Sequence, residues 1–433
     1  MMPTRSVAVL ILALAPLPAR AEQRPLTMSE AISLALGQNL EVHAADAAEA
    51  AQRESQRSAL GSLGPRFKLD ANVFVWDRPF DASIQMFNAS INVRGRETSN
   101  VTLTATQPLT GLYPLAEQLH AEQKLDEAAH RDGATARAEI VYRTTEAYLR
   151  LLQAIDLRRI AEDAVKDIAE QEKTAKALVD AGTLISADLL RTQVALAQAR
   201  EDLLRAEAQV GSVRAALASL IGLPVATEIE PERVDGRKLP ALPPTVDAVL
   251  PQAERRRPEV GAAMARAGAA EHGYKAAMGN LLPQIAAAGG YQHIQGFSDF
   301  AAQADAGYFA LFVSWDFWEW GAKWYQAKAQ QQRARLSGIE VERRRRDVAL
   351  EVTRRWLEAR AAFSAIDVAR EAVAQGREAY RVTRALYENG SATTTDLLDS
   401  QLALERASAN DARTLHDALV AYAALARAAG GLD

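Results

Sequence analysis

The segment 387–430 reads YENGSATTTDLLDSQLALERASANDARTLHDALVAYAALARAAG, which predicts a helix end, a turn and a second long helix. An earlier segment, 179–222, reads VDAGTLISADLLRTQVALAQAREDLLRAEAQVGSVRAALASLIG. Four pairs of landmarks share one offset of 208 residues: Gly182 with Gly390, Asp188 with Asp396, Gln193 with Gln401, and Gly222 with Gly430. Two copies in one register indicate an internal duplication, in which each half contains a long helical hairpin.

Composition and the N-terminus exclude several classes of protein. The 433 residues carry a net charge of −5, which argues against nucleic-acid binding, and the absence of cysteine excludes disulfides and thiolate metal sites. Residues 1–21 have the pattern of a signal peptide, with Arg5, a short apolar core and a cleavage site at 19–21. No later stretch offers the roughly 20 apolar residues of a transmembrane helix. If the mature chain enters a membrane, we expect it to do so as β-strands.

The two halves are predicted to share one order of elements. The first repeat spans 22–222, the second spans 246–433, and a Pro-rich linker occupies 223–245. Each repeat opens with a helix that a proline ends, at 28–63 and again from 246 to 279. Two strands and then a helical hairpin follow. The strands are predicted at 66–77, 100–109, 284–294 and 308–317, and the hairpin tips at 181–190 and 389–399.

The predicted strands have a period of two and a length of about ten residues, which suits a tilted strand that crosses a bilayer. Polar loops are expected at 77–100 and 295–307. Four strands cannot close a barrel, and open edges in lipid would leave backbone groups unsatisfied. Several chains must therefore combine their strands if these segments span a membrane. The alternative is a small soluble sheet packed against helix.

Aromatic residues are concentrated where the fourth strand ends. Trp315, Trp318, Trp320 and Trp324 are four of the chain's six tryptophans. Indole rings favour the membrane interface, so these residues are predicted to be interfacial. The helices that follow the strands, 115–180 and 323–388, would each be about 100 Å long and need a partner along their whole length.

These features together resemble the outer membrane efflux protein family, the TolC-like channels. The motifs that carry the resemblance are AGTLISADLL at 181–190, NGSATTTDLLD at 389–399 and QPL at 107–109. The fold of that family is mainly α-helical, with β-strands that cross the membrane. The resemblance implies a homotrimer in the outer membrane lipid with one twelve-stranded barrel and a periplasmic α-barrel. A periplasmic adaptor protein and an inner-membrane pump would dock on it. Its function would be export of small molecules or proteins, as the outer component of a tripartite efflux or type I secretion system.

The resemblance also implies roles for residues at the hairpin tips. Asp396 and Asp399 match the aspartates of the periplasmic gate, and their spacing of three places both on one helix face. Gly182 and Gly390 match the tips that contact the adaptor. The ordinary structural explanation for this motif is a helix-turn-helix with well-capped ends.

The resemblance further implies contacts that hold the closed state between the two hairpins. Tyr387 and Asp188 match one linked pair, a phenol that donates to a carboxylate. A second family link uses an arginine at a position that is Ala392 here, opposite Ala187, so we expect that link to be absent.

Other signals in the sequence are weak. The six histidines show no helical i, i+4 pair, so no metal site is predicted. The basic run 343–346 is expected to be a solvated helix face. No phosphate loop or nucleophile–base signature is present, so we predict neither a cofactor nor an enzyme. The alternative function is a soluble periplasmic coiled-coil scaffold or adaptor protein.

Overall fold

The computed structural model describes residues 25–84, 89–233, 239–297 and 305–431, so the predicted signal peptide lies outside the described residues. The chain is mostly helical, with one antiparallel sheet. The helices are α1 Met28–Gln38, α2 Leu40–Gly61, α3 Leu112–Asp180, α4 Ser186–Leu220, α5 Leu250–Arg256, α6 Pro258–Gly279, α7 Ala322–Glu388 and α8 Thr394–Ala428, with one 3-10 turn at Val246–Ala248. The strands are β1 Arg66–Val75, β2 Phe80–Ile84, β3 Ala89–Pro108, β4 Gln284–Phe297 and β5 Asp305–Ser314.

The helix that opens each repeat is broken once, where a continuous helix was predicted. Asn39 has φ −72° and ψ 129°, and Arg257 has φ −68° and ψ 116°. Arg257 precedes Pro258, which disfavours helical backbone. The Asn39 side chain instead accepts a hydrogen bond from the N–H of Glu41 at 2.8 Å and caps α2. The two breaks lie 218 residues apart, which is also the offset between Pro65 and Pro283.

The same two residues bind the far ends of the return helices. Asn39 Nδ2 donates to the Leu220 carbonyl at 2.9 Å, and Arg257 Nη1 donates to the Ala428 carbonyl at 3.3 Å. Leu220 and Ala428 are the last residues of α4 and α8. Both side chains therefore satisfy carbonyls that a helix end leaves unpaired. Arg257 is 6% exposed, and its charge is compensated by Glu259 at 3.0 Å and Glu351 at 2.8 Å.

The hairpins are held by many small apolar contacts along their length. The first hairpin consists of α3 and α4, and the second consists of α7 and α8, while α6 packs between α3 and α7. In α4, three residues spaced by multiples of seven, as in a coiled coil, are buried: Leu196, Val210 and Leu217. A larger cluster of buried apolar residues joins α1, α3 and α4 around Tyr148 and Leu217. Such distributed burial is what two helices of 69 and 67 residues require.

The sheet has the order β1–β3–β4–β5, and all of these pairs are antiparallel. β2 also pairs with β3, so part of the loop predicted at 77–100 is a β-hairpin. The loop prediction was wrong there. The sequence FDASI at 80–84 does alternate apolar and polar residues, but it spans only five residues, about half the length of the predicted strands. The described strands leave β1 and β5 at the two edges of the sheet.

The two faces of the sheet differ in chemistry. One face exposes large apolar side chains, of which Phe67 is 72% exposed, Phe309 81% and Leu311 61%. The opposite face carries polar groups that bind one another: Asn100 Oδ1 accepts hydrogen bonds from Thr102 at 3.1 Å and Gln292 at 3.3 Å. Exposed apolar surface of this extent is unusual in a soluble sheet. Among the described helices, none combines the length and apolar character needed to cross a bilayer.

Candidate functional site

The two hairpin tips have the same backbone geometry. Gly182 has φ +72° and Gly390 has φ +71°, a conformation that favours glycine. The following N–H groups, of Thr183 and Ser391, donate to carbonyls five residues back at 2.9 and 2.8 Å, which forms a Schellman end at each helix. A Cβ atom on either glycine would meet no other atom within 4 Å. Both tips are therefore open surfaces.

Asp396 has a structural role at the second tip. Its carboxylate accepts hydrogen bonds from the Thr393 N–H at 2.9 Å and the Thr393 hydroxyl at 2.6 Å, while its own N–H donates to Thr393 Oγ1. This capping box begins α8. The hydroxyl and N–H of Thr393 lower the pKa of Asp396, so the exposed carboxylate is held in its charged form. The cap thus fixes the position of one negative charge at the tip.

Asp399 lies one turn further along α8 and is exposed. In the part of the chain that the structure describes, its carboxylate makes no ion pair. The residues at the equivalent positions of the first tip are Asp188 and Arg191, which pair with each other at 3.1 Å. Ile185 occupies the position of Thr393 and gives α4 no side-chain cap. The two charges at the start of α4 therefore balance each other, whereas the start of α8 presents two carboxylates without an ion-pair partner in the described chain.

Tyr387 and Asp188 do not form a hydrogen bond in the single chain. Asp188 turns toward Arg191, and Tyr387 instead lines a polar cleft of about 140 Å³ together with Thr192 and Tyr380. The link between them stays a prediction for the closed state of an assembled channel. Ala392 and Ala187 bring no polar side chain to the position of the second link.

A layer of polar side chains lies inside the hairpin pair, behind the tips. Gln171 of α3 donates to the Tyr380 hydroxyl at 3.2 Å and to Gln401 of α8, and Gln401 donates to Glu405 at 3.1 Å. Burial raises the pKa of Glu405, and burial with the nearby Glu170 raises the pKa of Asp167. Sequence reasoning missed this layer, because its members lie on three helices and share no local motif.

Three of the tryptophans predicted to be interfacial, Trp315, Trp318 and Trp320, lie between β5 and α7, at the helical end of the sheet, and Trp324 lies in the first turn of α7. Trp320 is 86% exposed, Trp318 is 69% exposed and Trp315 is 59% exposed, while Trp324 is 47% exposed. Trp318 and Trp320 make an edge-to-face contact with ring centroids 5.6 Å apart. Rings that contact each other while remaining exposed are not part of an interior core, which favours the interfacial interpretation.

The structure also brings together three potential metal ligands that their sequence spacing did not reveal. Glu117 and His120 of α3 lie beside His272 of α6, and their ligand atoms are all within 4.8 Å of one another. Glu117 and His272 are 155 positions apart in the chain. A search for ligand pairs within one helix cannot detect a cluster that two helices form.

Comparisons with known proteins agree with this geometry. The family model described as outer membrane efflux protein matches residues 31–223 and 249–431. The structure of the outer-membrane channel OprN has a TM-score of 0.79 and 19% identity, and the match covers 94% of this chain and 90% of OprN. A structure of CusC has a TM-score of 0.82 and 17% identity, and the match covers 94% of this chain and 92% of CusC. The structure of the outer membrane protein VceC from Vibrio cholerae has a TM-score of 0.79 and 17% identity, and the match covers 93% of this chain and 96% of VceC. At these identities the structural likeness establishes the fold, and no curated protein sequence matches this chain.

Proposed function

Because this chain belongs to the outer membrane efflux protein family, we propose that three copies assemble into one channel-tunnel. The family places the protein in the outer membrane, with its helices extending into the periplasm. Each copy would contribute four strands, β1, β3, β4 and β5, to a barrel of twelve. In this proposal residues 1–21 are removed during export, and the repeats 22–222 and 246–433, joined by the linker 223–245, each provide two strands and one hairpin.

The observation that carries this proposal is the state of the sheet in a single chain. On their outer sides, the edge strands β1 and β5 have no pairing strand within the described chain, and the apolar face of the sheet is exposed. An open edge in lipid would leave N–H and C=O groups without partners, at a cost of several kcal/mol each. Pairing of β5 in one copy with β1 in the next would satisfy both edges. The polar face around Asn100 and Thr102 would then line the interior.

The channel would act as the outer component of a tripartite efflux system. Its partners would be a periplasmic adaptor and an inner-membrane pump, and the open tips at Gly182 and Gly390 would contact the adaptor. The family consists of transport channels, and we propose that this chain has no catalytic activity and supplies only the passage. The driving force would come from the pump.

We propose that Asp396 and Asp399 form the periplasmic constriction. Three copies would place six carboxylates around the opening, in two rings about one helical turn apart. Like charges at close range repel one another and attract cations, so the rings would favour cation entry and oppose tight closure. The start of α4 would add little charge, because Arg191 pairs with Asp188.

The alternative function, a soluble periplasmic scaffold or adaptor, does not fit these observations. A soluble scaffold would have no use for an exposed apolar face on β1 and β5 or for exposed tryptophans at the end of β5. The family match over both repeats also identifies a channel protein.

The first experiment is to locate the mature protein and measure its native mass in detergent. We expect it in the outer-membrane fraction, at about three times the mass of one chain, with an ion conductance in planar bilayers. A soluble monomer or dimer in the periplasm would overturn the channel proposal.

A further inference from the structure

Glu117, His120 and His272 form a cluster at the sheet end of the helical region, which we call the histidine cluster. Glu117 and His120 lie in the first turns of α3, immediately after β3, and His272 lies in α6, shortly before β4. The two helices are antiparallel and closely packed here. A Cβ atom on Gly279 would lie 2.7 Å from the ring of Tyr113, and one on Gly268 would lie 3.4 Å from Lys124.

The three side chains converge closely enough to share one ion. His272 Nδ1 is 2.7 Å from a carboxylate oxygen of Glu117, and the rings of His120 and His272 have centroids 5.2 Å apart with planes inclined at 51°. Their ligand atoms all lie within 4.8 Å. In a tetrahedral zinc site with bonds of about 2.0–2.2 Å, neighbouring ligand atoms are about 3.4 Å apart. Small side-chain rotations would bring the cluster to that spacing.

We propose that the histidine cluster binds one divalent transition-metal ion of the Zn²⁺ class between α3 and α6. Two imidazoles and one carboxylate suit zinc and its neighbours, whereas Mg²⁺ and Ca²⁺ prefer oxygen ligands. Three protein ligands leave a fourth position for water. His120 is exposed and the other two residues are half-buried, so an ion can reach the site from solvent.

The second imidazole distinguishes this cluster from the other histidine–carboxylate contacts. His130 lies 3.2 Å from Glu49, His293 lies 2.8 Å from Asp305, and His416 lies 3.1 Å from Asp156. Each of these contacts contains one imidazole. A pair of that kind is explained by its hydrogen bond alone. At the histidine cluster the hydrogen bond to Glu117 accounts for His272 but leaves the position of His120 unexplained.

A bound ion would connect the two repeats, because α3 belongs to the first and α6 to the second. It would fasten the helices directly below β3 and β4, the two central strands of the sheet. The ligands all come from one chain. The proposal is therefore independent of the trimer and of the channel function.

The test is a calorimetric titration of the full mature chain in detergent, prepared without a polyhistidine tag and stripped with EDTA. With ZnSO₄ we expect one Zn²⁺ per chain, and with MgSO₄ no binding. Removal of a residue that only hydrogen-bonds to a metal ligand already weakens metal affinity by about 10–100-fold. Because His120 and His272 would be ligands themselves, His120→Gln and His272→Gln should each weaken Zn²⁺ binding by at least about tenfold. His130→Gln is the matched control and should bind Zn²⁺ as the unaltered chain does.

Zinc X-ray absorption on the loaded protein should show two imidazole ligands. Absence of stoichiometric binding, or full affinity in the His120→Gln/His272→Gln double variant, would overturn the proposal. Circular dichroism without metal checks that the variants fold. If His272→Gln fails to fold, the exposed His120 still provides the test.

Discussion

Tyr148 and Trp356 lie 208 residues apart, at equivalent positions of α3 and α7, and each donates a hydrogen bond to the linker between the repeats. The Tyr148 hydroxyl lies 2.9 Å from the Glu232 carbonyl, and Trp356 Nε1 lies 3.0 Å from the Pro243 carbonyl. Tyr148 also lies 2.8 Å from the carbonyl of Leu26, in the N-terminal segment that pairs with the linker. The duplicated long helices therefore hold the linker between the repeats at two points, one near its middle and one near its end.

We expect both Tyr148→Phe and Trp356→Phe to lower stability. Tyr148 is 1% exposed and Trp356 is 8% exposed, so each variant leaves a carbonyl without its donor in a buried setting. Such a loss costs about 1–3 kcal/mol. Thermal unfolding in detergent should show a lower midpoint for each. Tyr325→Phe, which alters a tyrosine that is 71% exposed, is the control and should leave the midpoint unchanged. Equal midpoints for all three variants would contradict the role of the buried donors.

The Tyr148 hydroxyl should also make stability depend on alkaline pH. Burial raises the pKa of Tyr148 to about 12, above the ordinary value of 10. The folded chain therefore holds this proton more tightly than the unfolded chain does. The resulting stabilisation is complete below about pH 10 and is lost as the pH rises toward 12. Unfolding measured from pH 8 to 12 should show a smaller alkaline loss for Tyr148→Phe than for the unaltered chain. Parallel curves would refute this assignment.

The sequence was most informative where structure depends on neighbouring residues. The spacing Thr-x-x-Glu at Thr27 and Glu30 is typical of a capping box, and the structure contains that box at the start of α1. The pair Asn389-Gly390 is typical of a helix that ends in left-handed backbone, and Gly390 has that conformation, as does Gly182 in the first hairpin. Such features need only a few adjacent side chains, so their chemistry is visible in a short segment.

Features that depend on distant residues were missed. The break at Asn39 is stabilised by the Leu220 carbonyl, 181 positions away. His120 meets His272 only because α3 and α6 are antiparallel. The strand β2 alternates apolar and polar residues over only five positions, and its place in the sheet depends on β3 as its partner. Patterns within one segment cannot report such partners.

We expect an arginine on the apolar face of the sheet to impair membrane insertion, and an arginine on the polar face to leave insertion unchanged. Leu103→Arg and Leu311→Arg place a cation on the exposed apolar face, and a lipid-facing arginine costs about 2–4 kcal/mol near the bilayer midplane. We expect a reduced fraction of assembled protein in outer membranes for both variants. Thr104→Arg is the matched control, because it lies next to Leu103 in β3 and faces the polar side. Equal insertion of all three variants would exclude a lipid-facing apolar surface.

Substitutions at the second tip should separate a charge effect from a capping effect. Asp399→Asn removes a carboxylate that makes no ion pair in the described chain, so we expect altered conductance and weaker cation preference in planar bilayers at an unchanged unfolding midpoint. Asp396→Asn removes a similar charge and also disrupts the capping box with Thr393. Loss of a helix cap costs about 0.5–2 kcal/mol, so this variant should change both conductance and midpoint.

The control for these two variants is Asp202→Asn, which removes one exposed carboxylate from α4, away from the tips. It should leave the conductance and the cation preference unchanged. If Asp399→Asn behaves like Asp202→Asn, the carboxylate of Asp399 does not face the ion path, and the acidic constriction is refuted. If only Asp396→Asn alters conductance, and does so together with the midpoint, the second tip acts through its fold and its charge is not required.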